Sequence, residues 1–249
     1  MQSYVIEKTM EINTSSSHDI LATRLAALQQ TVKAVGSASR LVSRGLTPPT
    51  LIAVSKTHPT SLIEEAIALG VTDFGENKVQ EAAAKYPALK ANYPHIKLHL
   101  IGSLQSNKAK EAVALFDVIH TIDRPKIADA IRKEVTSDGW QATDTDKKSS
   151  TLLIQVNIGE EPQKAGVSPR DLPALLTHCH IIGLPISGLM CIPPEGENPA
   201  PYFALMQQFT QTYQFTQLSM GMSSDYKTAL RFGATMIRVG TALFGERAR

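Results

Sequence analysis

A chain of 249 residues, 43% hydrophobic and 19% charged, can bury a large core, and its length fits one α/β barrel as well as two small domains. A formal charge of +2, with no arginine-rich run interleaved with aromatics, excludes the electrostatic footprint of a nucleic-acid backbone binder. Cys179 and Cys191 are the only cysteines, too few for a disulfide framework and suited to a reducing compartment, so a cytoplasmic protein is expected.

Residues 1–17 carry Glu7, Lys8 and Glu11 and a serine-threonine tail without a continuous apolar core. This argues against a secretory signal and predicts a flexible extension ahead of one domain over 18–249. No apolar run approaches the length needed to cross a bilayer. Helical periodicity opens over 18–35; a strand follows over 51–55, a helix over 61–69, a strand over 71–74 and a helix over 78–89. The alternation continues with strands over 96–101, 118–120, 152–156, 186–189, 217–219 and 236–239. The helices between them are predicted over 105–116, 126–135, 169–177, 201–213 and 224–232. Pro59, Pro125 and Pro169 read as first-turn prolines, and the charged stretch 143–150 as a solvated surface loop. Eight strands alternating with helices imply parallel pairing through crossovers, and they close most economically into a single (β/α)8 TIM barrel.

In such a barrel, active groups collect where strands end. Lys56 closes the run Leu51-Ile52-Ala53-Val54-Ser55-Lys56 and shares a face with Ile52 and Val54, so its amine points into the barrel mouth. Desolvation there favours a neutral, nucleophilic amine fit for Schiff-base chemistry, although many strands end in a lysine that merely meets water. Asn77 follows Phe74-Gly75-Glu76 as a mouth amide or an ordinary turn residue. His99 within the third strand reads first as a satisfied core histidine. His178-Cys179-His180 reads as a helix end, because adjacent residues do not easily ligate one metal ion. After the last two strands come Ser219, then Arg238, Gly240 and Thr241 ahead of a short helical pattern. Two hydroxyls and helix-start N–H groups make a phosphate cradle, and each residue alone also reads as a cap or a turn. A Schiff-base lysine and a phosphate site across one barrel mouth point to a phosphorylated aldehyde, pyridoxal 5'-phosphate first among them.

The runs Ala53-Val54-Ser55-Lys56-Thr57, Phe74-Gly75-Glu76-Asn77, His99-Leu100-Ile101-Gly102-Ser103-Leu104-Gln105-Ser106-Asn107-Lys108, Gly188-Leu189-Met190, Leu218-Ser219-Met220-Gly221-Met222-Ser223 and Arg238-Val239-Gly240-Thr241-Ala242-Leu243-Phe244-Gly245 resemble the pyridoxal phosphate homeostasis proteins, the YggS-like or PROSC family. The resemblance spans roughly residues 20–247 and implies a barrel like the alanine racemase N-terminal domain. It implies that Lys56 holds pyridoxal phosphate as an aldimine, that Ser219, Gly240 and Thr241 hold the phosphate, and that Arg238 faces the pyridine nitrogen. It further implies that Asn77 and Met190 line the cofactor. No second β-rich domain is expected after Arg249, so the acid partner needed for two-base proton exchange is missing, with Tyr226 the nearest candidate. A monomeric carrier that binds the cofactor and delivers it to apo-enzymes is the reading this supports. A pyridoxal-phosphate-dependent amino-acid racemase and a Schiff-base aldolase acting on a sugar phosphate are the competing readings. His58 and Lys78 depart from the residues usual in the family, and Lys164 matches a family lysine that offers an alternative amine.

Overall fold

The computed structural model describes residues 17–38, 48–137 and 151–246, and the expectations for residues 1–16 and 143–150 lie outside them. Helix α1 (Ser17–Ala38) precedes strands β1 (Thr50–Val54), β2 (Asp73–Glu76), β3 (Lys97–Leu100), β4 (Val118–Ile122), β5 (Thr151–Val156), β6 (Gly188–Cys191), β7 (Gln217–Ser219) and β8 (Met236–Val239). Between them run α2 (Thr60–Ala68), α3 (Val79–Asn92), α4 (Ala109–Leu115), α5 (Pro125–Ser137), α6 (Leu172–Ile181), α7 (Ala200–Thr212) and α8 (Tyr226–Arg231), and α9 (Thr241–Phe244) follows β8. Every strand pairs in parallel with its sequence neighbour, and β8 returns to β1 with Thr50 opposite Met236 and Ile52 opposite Arg238. The sheet is a closed (β/α)8 barrel.

Alternation along each strand divides the core in two. Ile52, Val118, Leu153 and Met236 pack together inside the barrel. Their neighbours Ala53, Ile119, Leu152, Ile154 and Ile237 face outward into the larger layer between sheet and helices, with Phe74, Tyr86, Phe116 and Phe203. Such strands read as near-continuous apolar runs because both faces are covered.

Three elements depart from the sequence expectation for local reasons. The β2 strand lies two residues later than predicted and includes Gly75 and Glu76, residue types that strand propensity disfavours. A Cβ on Gly75 would stand 3.0 Å from both Ile52 and Ile101 side-chain carbons, so the packed interior there leaves little room for a side chain. The β6 strand likewise starts at Gly188, whose Cβ would fall 2.0 Å from the Gln217 carbonyl oxygen; glycine is what lets β6 and β7 approach. The helix predicted over 105–116 divides into a 3-10 turn at Ser106–Lys108 and α4. Pro125 does open α5, whereas Pro169 stands ahead of α6. Among the described residues no helix is long and apolar enough to cross a membrane.

Candidate functional site

The inward face of β1 leads directly to the barrel mouth. Ile52 is in the interior, and Val54 and half-buried Lys56 line a cavity of about 390 Å³, within the range of small-molecule sites. The turn that carries Lys56 is fixed from outside the barrel. Thr57 sits at φ 66°, a left-handed conformation unfavourable for a β-branched residue, and its N–H donates to Glu81 Oε1 at 2.5 Å. The Lys85 ammonium donates to the Ser55 and His58 carbonyl oxygens at 3.1 and 3.2 Å and to Glu76 Oε1 at 2.9 Å, and pairs with Glu81 Oε1 at 2.8 Å. The Ser55 hydroxyl donates to Glu76 Oε1 at 2.8 Å, which leaves its oxygen to accept from the Tyr86 hydroxyl at 2.7 Å. Burial raises the Glu76 pKa even though Lys85 opposes it; at Glu81 burial also pushes up, but the Lys85 and Thr57 bonds outweigh it and the pKa falls.

Asn77, directly after β2, supplies the next wall, with Ile101 beside it. A Cβ on Gly102 would lie 2.2 Å from the Asn77 carbonyl oxygen, so that glycine is what allows the loop after β3 to close on Asn77. On the far side of the β1–β8 seam the cavity is lined by Met222, Ser223 and Ser224 after β7 and by Gly240, Thr241 and Gly245 around α9. The Ala242 N–H donates to Ser223 Oγ at 3.2 Å, which ties the seventh loop to the start of α9. His58 also lines the cavity, its ring 4.8 Å from that of Phe244.

Arg238 forms the floor. It is 3% exposed; Nη1 donates to Ser219 Oγ at 2.6 Å and Nη2 to the Cys191 carbonyl oxygen at 2.8 Å. Lys56, Asn77, Arg238, Gly240 and Thr241, gathered from four loops and strands in the sequence reading, thus meet around one cavity. Ser219 and Met190 do not join that wall. They are register partners on β7 and β6, both fully buried beneath the mouth, and the Ser219 oxygen is already held by Arg238 and by His120 Nδ1 at 2.9 Å. Ser223 and Ser224 stand at the wall instead, because Gly221 at φ 95° turns the chain after β7 and brings the following residues over the mouth. The signal for them was the glycine after a strand-end serine, one turn further on than the strand itself.

Other residues singled out from the sequence lie elsewhere. His99 is a satisfied core histidine, 3.0 Å from both Asp73 Oδ1 and His120 Nε2. Tyr226 is buried in the outer core and is not among the residues that line the cavity. Lys164 pairs with Glu161 at 2.5 Å and donates to the Pro193 carbonyl oxygen at 3.1 Å. His178 sits near the end of α6 with Nε2 2.7 Å from Asp129 Oδ1.

Residues 24–248 match the family described as alanine racemase, N-terminal domain. The pyridoxal phosphate homeostasis protein of Aquifex aeolicus is 36% identical over 230 residues, covering 88% of this chain and 96% of the relative. The solved structure of PipY from Synechococcus elongatus without pyridoxal phosphate is 40% identical, covers 90% of this chain and 100% of PipY, and superposes with a TM-score of 0.77. PipY with pyridoxal phosphate bound has the same identity and coverage and a TM-score of 0.72. Alanine racemase of Corynebacterium glutamicum shares the fold at 14% identity and a TM-score of 0.63, with 91% of this chain matching 60% of the racemase. By sequence match across nearly its whole described length and by its closed barrel, the chain belongs to the pyridoxal phosphate homeostasis protein family.

Proposed function

We propose that this chain holds pyridoxal 5'-phosphate on Lys56 as an aldimine, keeps the free aldehyde scarce in the cytoplasm and delivers the cofactor to apo-enzymes, as a monomer without a substrate turnover of its own. The observation that carries this is the single cavity in which an amine, a buried guanidinium and the start of α9 come together. The donor set fits the cofactor chemically. When bound, pyridoxal phosphate supplies an electrophilic aldehyde, an electron-withdrawing ring and a phosphate dianion. Lys56, half-buried in the cavity wall, supplies the amine. Gly240 and Thr241 supply N–H and hydroxyl donors for the phosphate, joined by the hydroxyls of Ser223 and Ser224. Arg238, which only donates, would meet the ring nitrogen with an N–H and so disfavour its protonation, and Asn77 would line the ring. Ser219 and Met190 serve the site from below, Ser219 by anchoring Arg238. Among the described residues no tyrosine lines the cavity, and this supports a holding site over a two-base racemase. The names of the relatives and the bound state of PipY support the choice of cofactor over a sugar phosphate.

Titration with pyridoxal phosphate, followed by absorbance and by borohydride reduction, tests this. The expected result is a visible band and a reduced label on Lys56, both lost in Lys56→Ala with circular dichroism unchanged, since a half-buried mouth amine is not core packing. An unchanged band in Lys56→Ala overturns the reading.

A further inference from the structure

Beneath the cavity a hydrogen-bonded chain crosses the barrel interior. Asp73 Oδ1, at the start of β2, lies 3.0 Å from His99 Nε2, and His99 Nδ1 lies 3.0 Å from His120 Nε2. His120 Nδ1 lies 2.9 Å from Ser219 Oγ, which accepts from Arg238 Nη1 at 2.6 Å. His120 and Ser219 are fully buried and His99 and Arg238 are at most 3% exposed, so the links between them are made inside the protein.

Counting donors gives this chain a direction. The Asp73 carboxylate only accepts, and its other oxygen takes the Thr72 hydroxyl at 2.6 Å, so His99 carries its hydrogen on Nε2. A neutral His99 then accepts at Nδ1. His120 therefore carries its hydrogen on Nε2 and accepts the Ser219 hydroxyl hydrogen at Nδ1, which leaves a Ser219 lone pair for Arg238. Every hydrogen has an acceptor. A cationic His99 would reverse the middle links: Ser219 would accept from both His120 and Arg238, and its own hydrogen would have no acceptor among the described residues. That arrangement buries an unpaired hydroxyl donor and adds a second positive charge to an interior that already holds Arg238. Burial, together with the Arg238 charge, also holds the His120 pKa well below its ordinary 6.5.

We infer that Asp73 is a positioning residue for Arg238: its carboxylate orders His99 and His120 as Nε2–H tautomers, so that Ser219 presents a lone pair upward and fixes the guanidinium at the cavity floor. What the guanidinium meets there rests on the carrier reading; the order of the hydrogens does not.

Long-range 1H–15N spectra of histidine-labelled protein at neutral pH, without cofactor, test the order directly. Both histidines are expected neutral with hydrogen on Nε2. An Nδ1–H tautomer of His120 or a cationic His99 overturns the inference, and wild-type protein suffices for this measurement. In a second arm, pyridoxal phosphate affinity is measured for Asp73→Ala and Asp73→Asn. Asp73→Ala is expected to bind about tenfold more weakly, the scale of one hydrogen bond to a charged group, with Lys56 still labelled. Asp73→Asn, whose amide oxygen can still accept from His99, is expected to recover most of that loss. Wild-type affinity in Asp73→Ala, or no recovery in Asp73→Asn, overturns the positioning role. A wild-type protein that takes up no pyridoxal phosphate overturns the carrier reading instead, and the spectra then decide the order of hydrogens alone.

Discussion

On the outer side of β1 and β2, charge meets charge: Lys85 touches Glu76 and Glu81, and the cluster ends on the backbone of the turn that carries Lys56. Inside the barrel the links from Asp73 to Arg238 pass through two imidazoles and a hydroxyl, with no direct carboxylate contact to Arg238 among the described residues. The first arrangement holds a backbone in place. The second links side chains on β2 and β8, the two strands that flank β1, by a path through β3, β4 and β7. Both bury polar groups, but the outer one stands on Coulomb attraction at short range, and the inner one on matched donors and acceptors.

The largest test of this contrast is Lys85→Met. It leaves the fully buried Glu76 without its cation, and the expected loss in unfolding free energy by urea titration is about 3–5 kcal/mol at neutral pH. The loss should shrink toward acid pH, because burial already raises the Glu76 pKa above its ordinary 4.5 and protonation removes the orphaned charge. A loss below about 1 kcal/mol would show that the ion pairs merely decorate the turn.

The inner chain is probed by pH. Unfolded His120 takes up a proton below its ordinary 6.5, but the folded site resists it until a much lower pH. The unfolded state therefore binds more protons in that window, and His120 makes stability fall by about 1.4 kcal/mol for each pH unit below 6.5. Comparing urea titrations at two pH values in that window, His120→Gln should lack this slope. Equal slopes would mean that His120 protonates in place. The smallest effect belongs to Tyr86→Phe. It removes one neutral bond to Ser55 and should lower stability by about 1 kcal/mol, measured by thermal unfolding, without altering the Lys56 label.

How far the sequence revealed all this differs between face and depth. β7 and β8 were legible at their bounds, because each is followed closely by a glycine, Gly221 and Gly240, that marks the turn. β2 was obscured by Asp73-Phe74-Gly75-Glu76, whose glycine exists for packing and whose acid faces Lys85 outside the barrel. Strand alternation pointed Lys56 inward, and Ser219 and Arg238 were placed at the mouth by their position at strand ends, but neither signal carries information on height along the barrel axis. Height depends on the register between strands, and that register places Ser219 under Arg238 and out of the wall. His99 was recognisable as a core residue, whereas His120 drew no reading of its own. Their link to Asp73 and Ser219 was not legible, since it joins four strands whose stagger only the closed sheet defines.

The seam where β8 meets β1 has a consequence for how the protein is made. Lys56 emerges early in synthesis, yet the partners that frame it, Arg238, Gly240 and Thr241, sit on the last strand and the helix after it. A nascent chain halted before β8 would carry the Lys56 amine on an open sheet edge, without the residues that close the cavity around it. Closing the barrel is therefore also the moment at which the amine gains its cavity, and an incomplete product lacks it.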